Sequence, residues 1–169
     1  KQLNSFVNFH TFESIKNYII NIGSESIIGI DKTKTPFIFE KNCNENNVSY
    51  KYFDDPCTYP KAQKNSIELE GAKRANIRDG VSVTKFIYWL KNEMKISETD
   101  EIKAAKYLFD LRKNNDLFYS LSFNTISAFG EHAALPHYQV TKETNLSFKN
   151  NNIYLFDSGA QYRDGTTDI

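Results

Sequence analysis

Apolar side chains recur at three- and four-residue steps through the middle of the chain, which is the spacing of one face of an α-helix. The pattern predicts a long helix over residues 67–90. Asn65 or Ser66 can cap its first turn, and Glu68 stands where it would complete a capping box with Asn65. Two glycines lie inside this helix although glycine lowers helix propensity. We expect close packing against another element there, or a break between two helices at the second one: Gly71 and Gly80.

Two further helices are predicted on either side of the long one. Residues 100–113 have helical spacing, with Thr99 or Asp100 as the N-cap. A shorter helix is predicted near the start of the chain, with Thr11 as its N-cap and Gly23 at its end. The side chains expected to face inward from residues 100–113 are Ile102, Ala105, Leu108 and Phe109.

Short apolar or aromatic segments predict β-strands at residues 27–30, 48–53, 117–123 and 153–156. Residues 129–138 are predicted to form a loop, and the Asn-rich residues 42–47 are assigned to the surface. Helices followed by antiparallel strands favour an α+β domain over residues 63–169. Residues 1–62 are assigned to part of a smaller α/β domain that precedes it, with residues 56–63 as the linker.

Composition narrows the class of protein. Apolar residues make up 40% of the 169, and 21 basic against 21 acidic side chains give a formal net charge of zero. This balance argues against a nucleic-acid or membrane partner held by bulk electrostatics. No apolar run has the length of a membrane span, and residues 1–5 do not resemble a signal peptide. Cys43 and Cys57 lack metal-site spacing, so we expect two reduced thiols, with one disulfide as the alternative.

Asp157 and Asp168 flank a strand–turn–strand pattern, and carboxylate oxygens suit hard divalent cations. A tight hairpin with Asp164 and Gly165 as its loop would separate the two carboxylates by roughly 13 Å, too far for one metal cluster. A wider loop over residues 161–164 would make them direct cross-strand partners about 5 Å apart. The metal hypothesis therefore predicts the wider loop. Both aspartates also fit ordinary strand-end and turn chemistry.

Four segments resemble one known family in order and spacing. Residues 157–168 are DSGAQYRDGTTD, residues 64–80 are KNSIELEGAKRANIRDG, residues 118–128 are FYSLSFNTISA, and residues 133–138 are AALPHY. Together they are similar to aminopeptidase P, the Xaa-Pro aminopeptidase of the pita-bread metallopeptidases. The resemblance implies the first half of that catalytic domain, preceded by the end of the middle domain of the three-domain enzymes.

The resemblance also implies a function and a site. Asp157 and Asp168 would be two ligands of a dinuclear centre with two divalent metal ions, usually Mn²⁺, and His137 would steady the substrate and transition state. The metals would activate water to hydrolyse the N-terminal bond of peptides with proline at the second position. The family's further ligands, one histidine and two glutamates, would lie beyond Ile169. We accordingly expect this fragment alone to be inactive, and the full-length protein to be a cytoplasmic homodimer.

Some alternatives remain open at this stage. A non-catalytic peptidase-like binding module, as in certain histone chaperones, uses the same fold without the ligand set. His132 stands where the resemblance leads us to expect asparagine, and a solvated loop position is expected for it, with a chance metal ligand as the alternative. His137 considered alone would be a structural loop residue. The basic side chains of the long helix are expected to form a solvated face: Lys73, Arg74 and Arg78.

Overall fold

The structure is a computed structural model that describes residues 7–22 and 25–169. The chain divides into two compact units, Lys1–Gln63 and Lys64–Ile169. Each unit has its own buried cluster of side chains. Gly23, the predicted end of the first helix, lies outside the described residues.

The first unit is a small α/β arrangement. Its elements are a 3₁₀ turn Phe12–Ser14, α1 Ile15–Asn21, β1 Ile28–Ile30, α2 Phe37–Glu45, β2 Tyr50–Tyr52 and α3 Thr58–Ala62. Strands β1 and β2 pair in parallel, with α2 between them in the chain. The buried side chains of this unit are Ile19, Ile30, Cys43 and Val48.

Two sequence predictions for this unit need correction. The side chain of Thr11 makes no capping hydrogen bond. The surface assignment of residues 42–47 is wrong in part, because Asn42 is buried on α2 and its side-chain amide donates to the carbonyl of Ile38 at 2.8 Å. The predicted linker contains α3. Cys43 and Cys57 are both free thiols, as expected.

Two helices form one side of the second unit. Helix α4, Ser66–Asn92, is continuous through Gly80, so the predicted break is absent. Asn65 and Glu68 form the predicted reciprocal capping box. After a 3₁₀ turn Ile96–Glu98, α5 runs over Glu101–Lys113 with Asp100 as its N-cap, as predicted. None of the helices in the described part of the chain combines the length and apolar character needed to cross a bilayer.

Five short strands follow the helices: β3 Phe118–Leu121, β4 Ile126–Phe129, β5 Tyr154–Asp157, β6 Ala160–Tyr162 and β7 Gly165–Thr166. They pair antiparallel in two sheets, β3-β6-β7 and β4-β5. Strand β4 was not predicted. A 3₁₀ turn, Gly130–Ala134, occupies part of the predicted 129–138 loop.

The main core of this unit is aromatic and lies between the helices and the β4-β5 sheet. Phe86 is fully buried, and its ring meets that of Phe156 edge-on at 5.1 Å between centroids. Trp89 packs beside it and stacks on Tyr107 at 4.2 Å. The prediction that Phe86 is a core residue is confirmed, and Trp89 is partly buried against the same core. This packing fixes the sheet that carries Asp157 against α4 and α5.

The face that α5 buries differs from the prediction. Its buried residues are Glu101, Ala104, Leu108 and Arg112, whereas Ile102, Ala105 and Phe109 are only partly buried. Hydrophobicity alone assigns charged residues to the surface. Glu101 and Arg112 are buried nevertheless, because each forms hydrogen bonds with groups of the protein.

Candidate metal centre

The register of the β6-β7 hairpin decides how the two candidate ligands are arranged. Tyr162 pairs with Gly165, so the turn is the two-residue loop Arg163–Asp164. Further along the same register, the backbones of Ser158 and Ile169 exchange two hydrogen bonds of 2.9 Å. Both hairpins considered from the sequence are therefore wrong, the wide loop as well as the tight one.

Gly165 explains why the turn lies one residue earlier than an Asp-Gly pattern indicates. A Cβ atom on Gly165 would come within 2.9 Å of the Cβ of Ala75 and 3.1 Å of the Cα of Ala72, both on α4. This glycine therefore serves the close approach of β7 to the helix and lies in the strand instead of the turn.

The observed register keeps Asp157 and Asp168 on one face of the strand pair. Asp168 lies opposite Gly159, and Asp157 is two residues before Gly159, so the two aspartates are diagonal neighbours. Diagonal positions have Cα atoms about 7–8 Å apart and side chains within mutual reach. The distance between the two aspartates is therefore longer than in the direct cross-strand pair that the metal hypothesis predicted. It is shorter than the roughly 13 Å that would exclude a shared metal cluster.

Gly159 allows a tight backbone approach beside these ligands. A Cβ on Gly159 would fall 2.1 Å from the carbonyl oxygen of Thr167 and 2.3 Å from Oγ of Ser122. The Oγ of Ser122 donates to that carbonyl at 3.1 Å, and its backbone N–H donates to the carbonyl of Gly159 at 3.1 Å. Strand β3 is thereby joined to both ligand-bearing segments.

The donor chemistry fits a divalent cation but is incomplete. Within residues 7–22 and 25–169, neither Asp157 nor Asp168 has a side-chain hydrogen bond or ion pair, so both carboxylates remain available for coordination. No third His, Cys, Asp or Glu joins them into a metal-binding group in this described part of the chain. Two carboxylates present hard oxygen ligands, as Mg²⁺ or Mn²⁺ prefer.

A buried ionic network supports the segment that follows β7 and bears Asp168. Asp79 on α4 is fully buried and accepts two hydrogen bonds from Arg112, at 2.8 and 2.9 Å. It also accepts from the hydroxyls of Tyr162 at 2.9 Å and Thr167 at 2.8 Å. Thr167 directly precedes Asp168, so α4, α5 and the hairpin are joined through one carboxylate. Sequence reasoning missed Asp79, although helical spacing places it on the same face as buried residues of α4.

A second ion pair holds the turn of the hairpin. Arg78 donates two hydrogen bonds of 3.0 Å to the carboxylate of Asp164, and its guanidinium lies 5.0 Å from the ring centre of Tyr162. These hydrogen bonds hold the pKa of Asp164 below its ordinary value of 3.8 and raise the pKa of Arg78. The prediction of a solvated face is wrong for Arg78, whose side chain is 18% exposed, whereas Arg74 is 55% exposed.

His137 lies on the connection that follows β4. Its backbone φ is +56°, a left-handed conformation, and its side chain is exposed. The adjacent Tyr138 is buried in a cluster with Ile126 and Ala128. Because Ile126 is the register partner of Asp157, this cluster places the connection over the β4-β5 sheet.

His132 contradicts the prediction of a solvated loop position. Its Nδ1 lies 2.9 Å from Oε1 of the buried Glu101, and its ring stacks on Tyr138 at 4.3 Å between centroids. The imidazole can do this because Glu101, which the sequence analysis did not single out, emerges at the start of α5 beneath the loop. The imidazole of His132 therefore binds a side chain of the protein and does not serve as a metal ligand.

Comparison with known proteins identifies the family. Residues 70–169 match the description of metallopeptidase family M24, which is more than half of the chain. This chain belongs to metallopeptidase family M24. The predicted resemblance to aminopeptidase P is confirmed at the level of relatives, as the following comparisons show.

The M24 chain matches curated Xaa-Pro aminopeptidases from fungi and animals. A probable Xaa-Pro aminopeptidase P of Aspergillus flavus is 48% identical over 111 residues, which are 64% of this chain and 17% of the relative. Xaa-Pro aminopeptidase 2 of Mus musculus is 40% identical over 143 residues, 85% of this chain and 21% of the relative. The chain therefore spans about a fifth of the length of these relatives.

Solved structures agree with the fold. X-prolyl aminopeptidase of Caenorhabditis elegans, described as a cytosolic enzyme with a di-nuclear active site, is 32% identical with a TM-score of 0.82, over 98% of this chain and 28% of that one. Prolidase of Pyrococcus furiosus has a TM-score of 0.71 at 24% identity, over 96% of this chain and 45% of that one, and shows the fold alone. The predicted α+β, pita-bread assignment is confirmed, with the domain covered in part.

Proposed function

We propose that the protein containing this chain is a metal-dependent aminopeptidase that hydrolyses the N-terminal Xaa-Pro bond of peptides. The observation that carries the proposal is the diagonal pairing of two unengaged carboxylates on one strand face in an M24 chain. The names of the relatives support the substrate class. The intact aspartate pair favours an enzyme over a non-catalytic binding module.

In this proposal Asp157 and Asp168 are two of five ligands to a pair of divalent ions, with Mn²⁺ as the first candidate. The di-nuclear site of the nematode neighbour supports the count of two ions. When bound, the ions would activate water for attack on the peptide carbonyl. The remaining histidine and two glutamates would come from residues after Ile169.

His137 has a separate role in the proposal. Its exposed imidazole can donate a hydrogen bond to the carbonyl oxygen of the scissile peptide, and that bond would strengthen as negative charge develops on the oxygen. The left-handed backbone supports a functional assignment, because strained conformations concentrate at functional sites.

Domain limits, compartment and assembly complete the proposal. We assign residues 63–169 to the first half of the catalytic domain and residues 1–62 to the domain before it. The description of the nematode neighbour as cytosolic supports a cytoplasmic location. A homodimer is proposed for the full-length protein.

The test is peptide hydrolysis by the full-length protein after reconstitution with Mn²⁺. We expect cleavage of an Xaa-Pro peptide and much slower cleavage of the matched Xaa-Ala peptide. Asp157→Asn and Asp168→Asn should each weaken Mn²⁺ binding by more than the roughly 10–100-fold that loss of an outer-shell partner costs. Asp110→Asn, on the exposed side of α5, is the matched control.

A negative result in this test would refute the proposed function. A folded full-length protein that binds no Mn²⁺ and cleaves neither peptide would refute the enzyme and support the binding module. The 169-residue polypeptide measured alone should bind Mn²⁺ weakly and show no turnover, because its described residues bring together only two carboxylates. Measurable turnover by that polypeptide would contradict the assignment of ligands beyond Ile169.

A further inference from the structure

The carboxylate of Glu101 is fully buried at the first turn of α5 and is surrounded by donors. It accepts hydrogen bonds from the backbone N–H groups of Phe129 at 2.7 Å and Leu146 at 3.0 Å. It also lies 2.9 Å from Nδ1 of His132 and accepts from the hydroxyl of Tyr138 at 3.1 Å. A carboxylate has about four acceptor positions, so this one is fully used.

Three of these four partners lie along the connection that carries His137. Phe129 is the last residue of β4, His132 lies within the 3₁₀ turn, and Tyr138 directly follows His137. The rings of His132 and Tyr138 also stack on one another, with 27° between their planes. One buried side chain therefore holds the beginning, middle and end of the segment 129–138.

His137 needs such support because of its own geometry. Its left-handed backbone is uncommon for a residue with a Cβ atom and persists only when the surroundings impose it. The hydroxyl of Tyr138, the next residue, is held by Glu101 and also by Oγ1 of Thr144 at 3.1 Å. Within the described residues, the side chain of His137 has no hydrogen bond of its own, so its placement depends on the backbone.

The position of Glu101 at the start of α5 favours a carboxylate there. The positive end of the α5 dipole stabilises a carboxylate in the first turn. A buried carboxyl group is costly unless its hydrogen bonds are complete, so the burial of Glu101 depends on the loop conformation that supplies its partners. Ser127 adds a further link, because its hydroxyl donates to the backbone carbonyl of Glu101 at 2.7 Å.

We propose that Glu101 is a positioning residue that acts through His132 and Tyr138 to hold the 129–138 loop so that His137 meets the substrate. The inference rests on the function proposed above, since it requires His137 to act on a peptide. It assigns His132 a role as a donor to Glu101 in place of the asparagine expected from the family resemblance.

The decisive experiment is a double-mutant cycle in the Mn²⁺-loaded full-length protein. Glu101→Gln keeps the shape of the side chain but replaces an accepting oxygen with a donating amide NH2 group, and kcat should fall by about 10–100-fold, as for a misplaced catalytic group. KM and Mn²⁺ affinity should remain near the wild-type values. In a His137→Ala background, the same substitution should lower kcat no further, because Glu101 acts through His137.

Two substitutions of His132 test the chain of contacts. His132→Asn preserves a donor towards Glu101 and should retain the wild-type kcat, whereas His132→Leu removes the donor and should lower kcat in the same direction as Glu101→Gln. Glu98→Gln, an exposed carboxylate just before α5, is the matched control and should leave kcat unchanged. If Glu101→Gln does not fold, His132→Leu and His132→Asn provide the comparison.

A second readout is independent of activity. Amide hydrogen exchange should become faster at residues 130–135 and at His137 in Glu101→Gln and His132→Leu, with no change in β5 and with wild-type exchange in His132→Asn. The inference is overturned if folded Glu101→Gln keeps the wild-type kcat and loop exchange, or if its effect on kcat adds fully to that of His137→Ala. A wild-type protein without Xaa-Pro cleavage would instead overturn the proposed function, which separates the two failures.

Discussion

Arg78 and Asp164 show how a single residue pair fixes the turn of the candidate site. The guanidinium binds the carboxylate through two parallel hydrogen bonds and lies over Tyr162, a geometry that lysine cannot reproduce. Arg78→Lys should therefore lower the free energy of unfolding by about 1–2 kcal/mol. Urea denaturation followed through the fluorescence of Trp89, the single tryptophan, measures this.

Arg74→Lys is the matched control on the same helix. Arg74 is 55% exposed and lies 3.8 Å from the Asp164 carboxylate, so the change should stay within about 0.5 kcal/mol. Equal losses for both variants would show that the hairpin turn does not depend on the bidentate geometry.

The acid dependence of the same pair has a defined sign. Hydrogen bonds from Arg78 hold the pKa of Asp164 below 3.8, so its contribution to stability is present above pH 3.8 and is lost as pH falls through the lowered pKa. The stability difference between wild type and Asp164→Asn should be constant at neutral pH and shrink below pH 3.8. Parallel denaturation curves across this range test it, and an unchanged difference in acid would contradict the assignment.

At the scale of elements, the two glycines of α4 make a matched experiment. A Cβ on Gly71 would lie 2.1 Å from the carbonyl oxygen of Asp164, whereas a Cβ on Gly80 would meet nothing within 4 Å. Gly71→Ala should push the hairpin from the helix and cost about 1–3 kcal/mol. Gly80→Ala should stabilise the protein by about 0.5–1 kcal/mol through helix propensity. Thermal denaturation of both variants is sufficient, and shifts of the same sign would contradict the predicted packing.

The Asp79 network joins two helices to the hairpin, and its removal should be far more costly. Arg112→Met leaves the Asp79 carboxylate buried without its cationic partner, for which a loss of about 3–5 kcal/mol is expected. Asp110→Asn breaks only an exposed pair with Lys106 and should change stability by less than about 0.5 kcal/mol. Chemical denaturation of the two variants compares the loss of a buried ion pair between α4 and α5 with the loss of an exposed ion pair within α5.

At the scale of the whole molecule, we expect Tyr154 and Tyr162 to limit stability in alkaline solution. Burial raises the pKa of Tyr154 to about 12, and burial together with a hydrogen bond to Asp79 raises the pKa of Tyr162 to about 12, from an ordinary value of 10. The neutral form is favoured in the folded state, so this stability is complete below pH 10 and is lost as pH rises towards 12.

Titration followed by ultraviolet absorbance measures the ionisation of these tyrosines directly. Tyr154 and Tyr162 should ionise together with the loss of near-ultraviolet circular dichroism, since their raised pKa belongs to the folded state. Complete ionisation of all ten tyrosines in the folded state would contradict the burial.

The sequence by itself determined the features whose causes are local. The capping box of Asn65 and Glu68, the cap at Asp100 and the strand that ends at Asp157 depend on residues a few positions apart, so periodicity and turn chemistry predict them. The motif around Asp157 and Asp168 likewise indicated the family. None of these required knowledge of a distant partner.

Tertiary structure alone decided the hairpin register, the charged buried face of α5 and the position of His132. Gly165 lies in the strand because α4 approaches it, and Glu101 is buried because donors from Phe129 to Leu146 converge on it. Each arrangement is stabilised by contacts between groups that are far apart in the chain. A local sequence pattern cannot predict that such groups come together. The diagonal placement of the two carboxylates is the consequence of that long-range packing.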